Sequence, residues 1–451
     1  MNINEENIML KSFTRRNFLK AVTATAVGTW FLNTFPALAE ASSNEIQYVR
    51  QIITKNISKS RTIMWQTAKP HPEARLHYRL ENGPATSIQP VMEEFVDDNH
   101  TTFIYSVSLD ELKRGESYQY KITCNTSETP WYSLTTPHEN YSFTALIFPD
   151  SQCSDGYITW RNVAHNAYRQ HPNANFMVSM GDLVDNGEAS WQWTQWQDGI
   201  NELWKAIPFA PVMGNHETYN LNWLCRLPKA YLALFNLPDN QSQNFKDYYY
   251  SYDVGPVHFT VLNTMWDELH GLNDGIITEQ IEWLKKDISH TDKKWKVVLM
   301  HKDVIFYDDP DALRSPAYPK NNPVIGTPYE NTDELPETTS LIDIDEVGRI
   351  FMPHFDKLKI DAVLTAHQHT YRRHNHIYDF KPSKDKGPVY FCTGIAGNVR
   401  YNVAFTRRFD QKFIAQPETE NYMTLTADDE KLLFRCYLTN GKMVDEYILE
   451  K

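Results

Sequence analysis

Gly214-Asn215-His216-Glu217 brings an amide, an imidazole and a carboxylate onto consecutive residues, and it is one of five blocks of this kind. Asp150-Ser151-Gln152 and Gly181-Asp182-Leu183-Val184-Asp185 precede it, and His301 and His367-Gln368-His369 follow. Asp150, Asp182, Asn215, His301, His367 and His369 carry oxygen and nitrogen donors suited to transition-metal ions, with Gln152 as a further candidate. That set amounts to the ligands of a two-metal hydrolase, in which paired ions activate water and clamp an in-line displacement. Two neighbouring cations need a carboxylate shared between them, because neutral ligands do not offset their mutual repulsion.

Each block follows a short run of apolar and β-branched residues, at 144–148, 176–180, 209–213, 297–300 and 362–364. Such runs predict parallel strands delivering donors at their carboxyl ends, where open α/β sheets place their sites. Helical periodicity over 159–171, 191–207 and 278–288 alternates with these strands. Residues 248–252 and 257–263 flank Gly255-Pro256 and predict a hairpin. Residues 303–340 are rich in Pro, Asp and Asn and read as a long loop after His301. Strands at 423–426, 432–437 and 444–449 form a closing meander within a C-terminal β extension, 411–451.

The five blocks, in this order and at these spacings, resemble the calcineurin-like metallophosphoesterases, whose blocks run D-x-H, GD-x-x-D, GNH-E/D, a lone His and GH-x-H. The branch related to purple acid phosphatases is the nearest in pattern, and the resemblance covers residues 141–398. It implies an α/β fold, a four-layer α/β-β/α sandwich over 141–451 with two sheets packed face to face.

By the same resemblance, one metal takes Asp150, Gln152, Asp182 and His369. The other takes Asp182, the amide oxygen of Asn215, His301 and His367, so that Asp182 bridges. A hydroxide of lowered pKa then attacks phosphorus in line with the leaving group. His216 resembles the family's non-ligand His, which stabilises the transition state or protonates the leaving alkoxide. Asp185 and Glu217 resemble groups that orient the ligands. The implied cofactor is a pair of divalent or trivalent ions, Fe, Mn or Zn. The implied substrate is a small-molecule phosphoester, a monoester if the acid phosphatase branch is the guide. A phosphodiesterase or nucleotidase using the same site stays open, as does a non-catalytic envelope-binding protein. Substrate choice is expected in the loops 303–340 and 191–196 and in the rim.

Three departures from the family pattern stand out. Gln152 occupies a position where many members have His; it is either a neutral, harder ligand that favours manganese or iron, or not a ligand. Asp185 stands where purple members have the Tyr that binds ferric iron, which predicts no purple charge-transfer band. Ala366 replaces the Gly of GH-x-H, a small change. Cys153, beside the first block, reads as a small core residue. His354, His374 and His376 lack matching positions and are expected at the surface or rim.

At 451 residues the chain is long enough for two domains. Aromatic residues make up 13% and hydrophobic residues 41%, which indicates an ordered globular protein. A formal net charge of −13 argues against a nucleic-acid-binding surface. Phosphate substrates remain compatible with it, because bound metal ions supply local positive charge. From 45 to 137 the pattern changes to short alternating strands, at 62–67, 76–80, 102–109 and 118–124, with a turn at 114–116. This predicts an all-β sandwich of immunoglobulin type over 44–138. Residues 109–122 are similar to the fibronectin-III-like domain that precedes purple acid phosphatase cores, so the domain is expected to pack beside the core and shape its rim.

Arg15-Arg16, then Phe18-Leu19-Lys20, an apolar stretch at 21–35 and Ala37-Leu38-Ala39 make residues 1–39 a twin-arginine signal peptide. The expected partner is the bacterial Tat export machinery, and the expected location periplasmic or secreted, with no stable membrane span after cleavage. The odd count of five cysteines leaves at least one free thiol, and there is no C-x-x-C pair.

Overall fold

The strand Ser117–Cys124 buries every second side chain, so Tyr118, Tyr120, Ile122 and Cys124 face one core while the intervening residues face out. It pairs with Arg75–Leu80, which pairs with Thr86–Ile88. The facing sheet of this β-sandwich contains Gln47–Ile52, Arg61–Thr67, His100–Leu109 and Val91–Asp97 in that order. Trp65 and Tyr105 stack between the sheets with ring centroids 5.2 Å apart. The computed structural model describes residues 45–138, 141–305, 344–400, 409–414 and 420–451. The signal segment expected at 1–39, and the expected loop from residue 306 onward, lie outside the described residues.

Arg61–Thr67 is buried along its whole length, which strict alternation does not explain. One face, with Ile63 and Trp65, packs into the sandwich, and Met64 on the other joins the main core. Ile52 pairs in parallel with Phe209, so this sheet of the sandwich runs on into the main fold. The resulting ten-stranded sheet runs Met443–Glu450, Lys431–Leu438, Asn421–Ala427, Phe143–Phe148, Phe176–Ser179, Phe209–Pro211 and then the four sandwich strands. The C-terminal meander is therefore an integral part of the sheet, paired with its central strand Phe143–Phe148.

A second sheet runs Tyr250–Val254, Val257–Leu262, Trp295–Met300, Ala362–Thr365, Val389–Thr393, Tyr371–Tyr378 and Lys381–Ser383. The two sheets meet through aromatic rings, with Phe176 5.7 Å from Phe259 and 6.0 Å from Tyr252. Helices Ile158–Gln170 and Ser190–Ile200 cover the first sheet, with Trp160 edge-on to Phe148 and stacked on Trp196. Helices Ile276–His290 and Glu346–Leu358 carry the buried apolar stripes of the second half. Helix, sheet, sheet, helix is the four-layer arrangement expected.

Periodicity predicted one helix over 191–207, but the α-helix ends at Ile200 and 201–207 form tight turns. Leu203, Trp204 and Ile207 keep their inward spacing there without a continuous helix. The hairpin Val91–Asp97 to His100–Leu109 turns on Asp98 and Asn99, both in the left-handed region at φ 48° and 55°. Asp98 accepts hydrogen bonds from the backbone and hydroxyl of Ser190, both at 3.0 Å, at the start of the helix it opens. Among the described residues, no helix is long and apolar enough to cross a membrane.

Candidate metal centre

Strands from both sheets end at one place. Phe143–Phe148 leads to Asp150, Phe176–Ser179 to Asp182, Phe209–Pro211 to Asn215 and His216, Trp295–Met300 to His301, and Ala362–Thr365 to His367 and His369. Within each sheet these strands are parallel, so their carboxyl ends converge on the seam. Two donor groups form there: Asp182, His301 and His367, and Asp150, Asp182 and His369, with each group's ligand atoms all within 4.8 Å of one another. Asp182 belongs to both.

The local backbone is shaped for this convergence. Gly181 lies at φ +99°, and a Cβ on it would stand 2.5 Å from His301 Nδ1. A Cβ on Gly214 would stand 2.2 Å from Asp182 Oδ1, so only glycine lets the two loops touch. Asp182, His367 and His369 themselves sit in the left-handed region, at φ 49°, 69° and 53°. Such conformations persist only where the surroundings over-determine them. Here the backbone N–H of His367 donates to both oxygens of Asp150, at 3.1 and 3.0 Å, and the N–H of His216 donates to Asp182 at 2.9 Å.

Residues 138–371, just over half the chain, match the calcineurin-like phosphoesterase family. The chain belongs to that family. Residues 46–136 match the purple acid phosphatase N-terminal domain. Purple acid phosphatase 18 of Arabidopsis thaliana is 24% identical over 322 residues, covering 71% of this chain and 62% of its own length. The chain spans about three fifths of the length of the first curated relatives it matches, 62%, 59% and 58%. A purple acid phosphatase from yellow lupin (Lupinus luteus) seeds superposes with a TM-score of 0.71 at 17% identity, over 90% of this chain and 74% of that one. The structure of PhoD superposes with a TM-score of 0.61 at 14% identity, over 92% of both chains.

In this member of the family, donor chemistry fits a pair of cations. His301 Nδ1 lies 2.9 Å from the carbonyl of Met180 and donates to it, which leaves Nε2 as the lone pair. That nitrogen faces Asp182 Oδ2 at 3.1 Å, Asn215 Oδ1 at 3.2 Å and His367 Nδ1 at 3.2 Å. Asn215 is turned this way because its amide nitrogen donates to the hydroxyl of Tyr219 at 3.3 Å. Four lone-pair atoms pointing at one another repel unless a positive charge sits among them. Electrostatics show the same demand for positive charge, which a proton on His301 meets in the metal-free chain. Burial resists ionisation of Asp182, but His301 and His216 outweigh it and hold the carboxyl far below its usual range. Burial also resists charging of His301, yet Asp182 drives it up to about 9, while burial and His301 together push His367 well below its usual value.

Gln152 is buried, and among the described residues its Oε1 has no hydrogen-bond partner. Its Nε2 lies 3.4 Å from Asp185 Oδ1 and 3.5 Å from His216 Nε2, both long contacts. An orphaned, buried amide oxygen on the residue two after Asp150 suits a metal ligand better than a structural role. His216 Nδ1 lies 2.6 Å from the carbonyl of Asp185 and donates to it, so Nε2 faces the centre, 3.8 Å from Asp182 Oδ2. Glu217 accepts backbone N–H groups from both the Asp182 and the Gly214 loops. Ala366 keeps its place without strain, its N–H donating to the carbonyl of His301 at 2.8 Å. Cys153 is buried, with Sγ turned to the carbonyl of Ser151 at 3.4 Å.

The reading of His374 as a surface or rim residue is corrected. It is buried on Tyr371–Tyr378, with Nδ1 3.0 Å from Asp410 and Nε2 3.9 Å from Asp303. Asp303 in turn accepts from Thr365 at 2.8 Å and from Gln368, the residue between the two histidines of the last block, at 2.7 Å. Strand alternation put Arg372 and His374 on one face and Tyr371 and Arg373 on the other. Nothing local said which face a second layer covers. His376 is partly buried, 2.8 Å from the carbonyl of Gly387, and His354 is partly buried on its helix.

Proposed function

We propose that this chain is a metal-dependent phosphoric ester hydrolase of acid phosphatase type that acts on small phosphomonoesters. The observation that carries the reading is Asp182, shared by two three-residue donor groups and lying 3.8 Å from the imidazole of His216. Asp150, Gln152, Asp182 and His369 would hold one ion, and Asp182, Asn215, His301 and His367 the other. Two bound ions would supply Lewis acidity toward a phosphoryl oxygen and toward water.

The chain's own groups supply positioning and the proton. The Asp185 carbonyl fixes the His216 tautomer, so the imidazolium carries its second proton on Nε2, toward the donor cluster. There it can pass that proton to the departing oxygen. Glu217 keeps the Asp182 and Gly214 loops in register while the charge moves.

Apo-protein refilled with one metal at a time, and assayed on a matched monoester, diester and nucleotide panel, tests the reading. Turnover led by a monoester is expected, with Asn215→Ala or His216→Ala lowering kcat by roughly 10² to 10⁴ in a folded protein. Inactivity of the wild type with every metal, or undiminished turnover in both variants, would overturn it. We also read residues 1–39 as a twin-arginine export signal, on the strength of Arg15-Arg16 and Ala37-Leu38-Ala39. A secreted or periplasmic product beginning at Glu40 is expected, and accumulation of the uncleaved chain in the cytoplasm overturns that part.

A further inference from the structure

The chain leaving the Gly214–Glu217 block makes a tight turn that is held at many points. Asn220 Oδ1 accepts the N–H groups of Asn222 and Leu224, both at 2.9 Å, and its carbonyl accepts that of Trp223 at 2.8 Å. Tyr219 pairs antiparallel with Cys225 across the turn. Arg226 closes its base. Its guanidinium lies 2.8 Å from Asp97 of the sandwich hairpin and 2.9 Å from Glu188, whose other oxygen accepts the N–H of Leu221 at 2.7 Å.

These bonds force Trp223 to φ +61°, a region that a bulky side chain avoids. The strained ring is also not buried: Trp223 is 42% exposed, beside the exposed Leu221 and Leu224. It packs edge-on against His216, centroid to centroid 5.9 Å, and lies 6.0 Å from Tyr219, itself 5.5 Å from His216. A large aromatic surface kept wet, at a backbone angle that disfavours it, next to a group facing the metal cluster is a feature of function rather than of packing.

We propose that Trp223 and Tyr219 form a leaving-group subsite for a planar aromatic ring, so that this chain prefers phosphomonoesters of nucleosides or of aryl-bearing alcohols over aliphatic ones. The inference rests on the phosphoesterase reading above. In the reaction the ester P–O bond breaks and its electron pair goes to the leaving oxygen. That oxygen takes the proton from His216, and water supplies the new P–O bond and a proton in return. His216 and the rings share an edge, so the group bonded to the protonated oxygen lies against them. Aromatic faces stack on planar rings and gain less from saturated ones of equal size.

Two substrate pairs with matched leaving oxygens isolate the ring: adenosine 5′-monophosphate against ribose 5-phosphate, and benzyl phosphate against cyclohexylmethyl phosphate. For the metal-loaded wild type, kcat/KM should favour at least one aromatic member by about tenfold, mainly through KM. Preference in the first pair alone points to a nucleoside, and in both to any planar ring. Trp223→Gly removes the ring where glycine suits the backbone, so the fold is kept and the ratio should collapse toward one. Trp223→Phe should restore most of it.

Binding gives a readout without turnover: calorimetric titration with benzylphosphonate and methylphosphonate should show the same preference, lost in Trp223→Gly. Equal kcat/KM within both pairs, or a ratio unmoved by Trp223→Gly, overturns the subsite while leaving the phosphoesterase reading intact. Absence of turnover on all four esters sinks that reading instead, and equal binding of the two phosphonates then sinks the subsite as well.

Discussion

The backbone N–H of Asp182 donates to the carboxylate of Glu217 at 3.0 Å, across 35 residues of sequence. The same carboxylate accepts Leu183 N–H at 2.7 Å and Gly214 N–H at 2.7 Å, and Asp182 Oδ1 accepts His216 N–H at 2.9 Å. One buried side chain therefore fixes two loops that carry donors. Burial, reinforced by the neighbouring Asp182 charge, raises the Glu217 carboxyl to about 7.

Glu217→Ala leaves three buried amides without an acceptor, and each such loss costs about 1–3 kcal/mol. A fall in unfolding free energy of roughly 3 kcal/mol or more is expected in chemical denaturation, together with lower metal content after dialysis. A variant as stable and as metal-replete as the wild type would show that the clamp is dispensable.

Asp303 braces the last block from behind, through Gln368 and Thr365. Asp303→Ala should weaken metal retention by about 10- to 100-fold, the usual effect of losing a partner that orients a ligand. Competition with a coloured chelator measures this. Unchanged affinity would assign the Asp303, His374 and Asp410 network to folding alone.

His258 lies between Asp253 at 2.8 Å and Asp287 at 2.9 Å, far from the ligand blocks in sequence. Burial opposes its charge, but the two carboxylates prevail and raise it to about 9. A folded-state pKa above the unfolded value near 6.5 means stabilisation that is complete below pH 6.5 and is lost as pH rises through about 9. The difference in stability between wild type and His258→Gln should be about 2–3 kcal/mol at pH 6 and shrink toward zero by pH 9.5, as read by urea unfolding at both values. A difference independent of pH would contradict it.

By the block pattern GD-x-x-D, Asp185 is expected to stand where purple members of the family have their tyrosinate. Tyr157, whose hydroxyl accepts the Asp185 N–H at 3.0 Å, bonds at 3.2 Å to Gln192 and has its pKa raised well above normal by burial. Protein loaded with ferric iron should therefore show no tyrosinate charge-transfer band in its visible spectrum. An intense purple band would mean that a phenolate reaches the metal after all.

The donors were legible because their chemistry and their setting agree locally: each metal-type residue closes an apolar run short enough to be a buried strand. The hairpin 250–262 and the terminal meander were legible for the same reason, since period-two patterning and turn residues act over a few positions. The helix predicted to run to 207 was misjudged, because inward spacing alone does not separate a helix from successive turns.

By itself the sequence determined which groups could bind metal, their order, and the strands that present them, because those depend on neighbours in the chain. Tertiary structure decided the rest. It put His367 N–H on Asp150, 217 residues away, joined the sandwich sheet to the main sheet through Ile52 and Phe209, and buried His374 between Asp303 and Asp410. It also exposed Trp223 beside His216. Periodicity tells which side chains share a face, but only packing of distant elements tells which faces are covered and which stay open to a substrate.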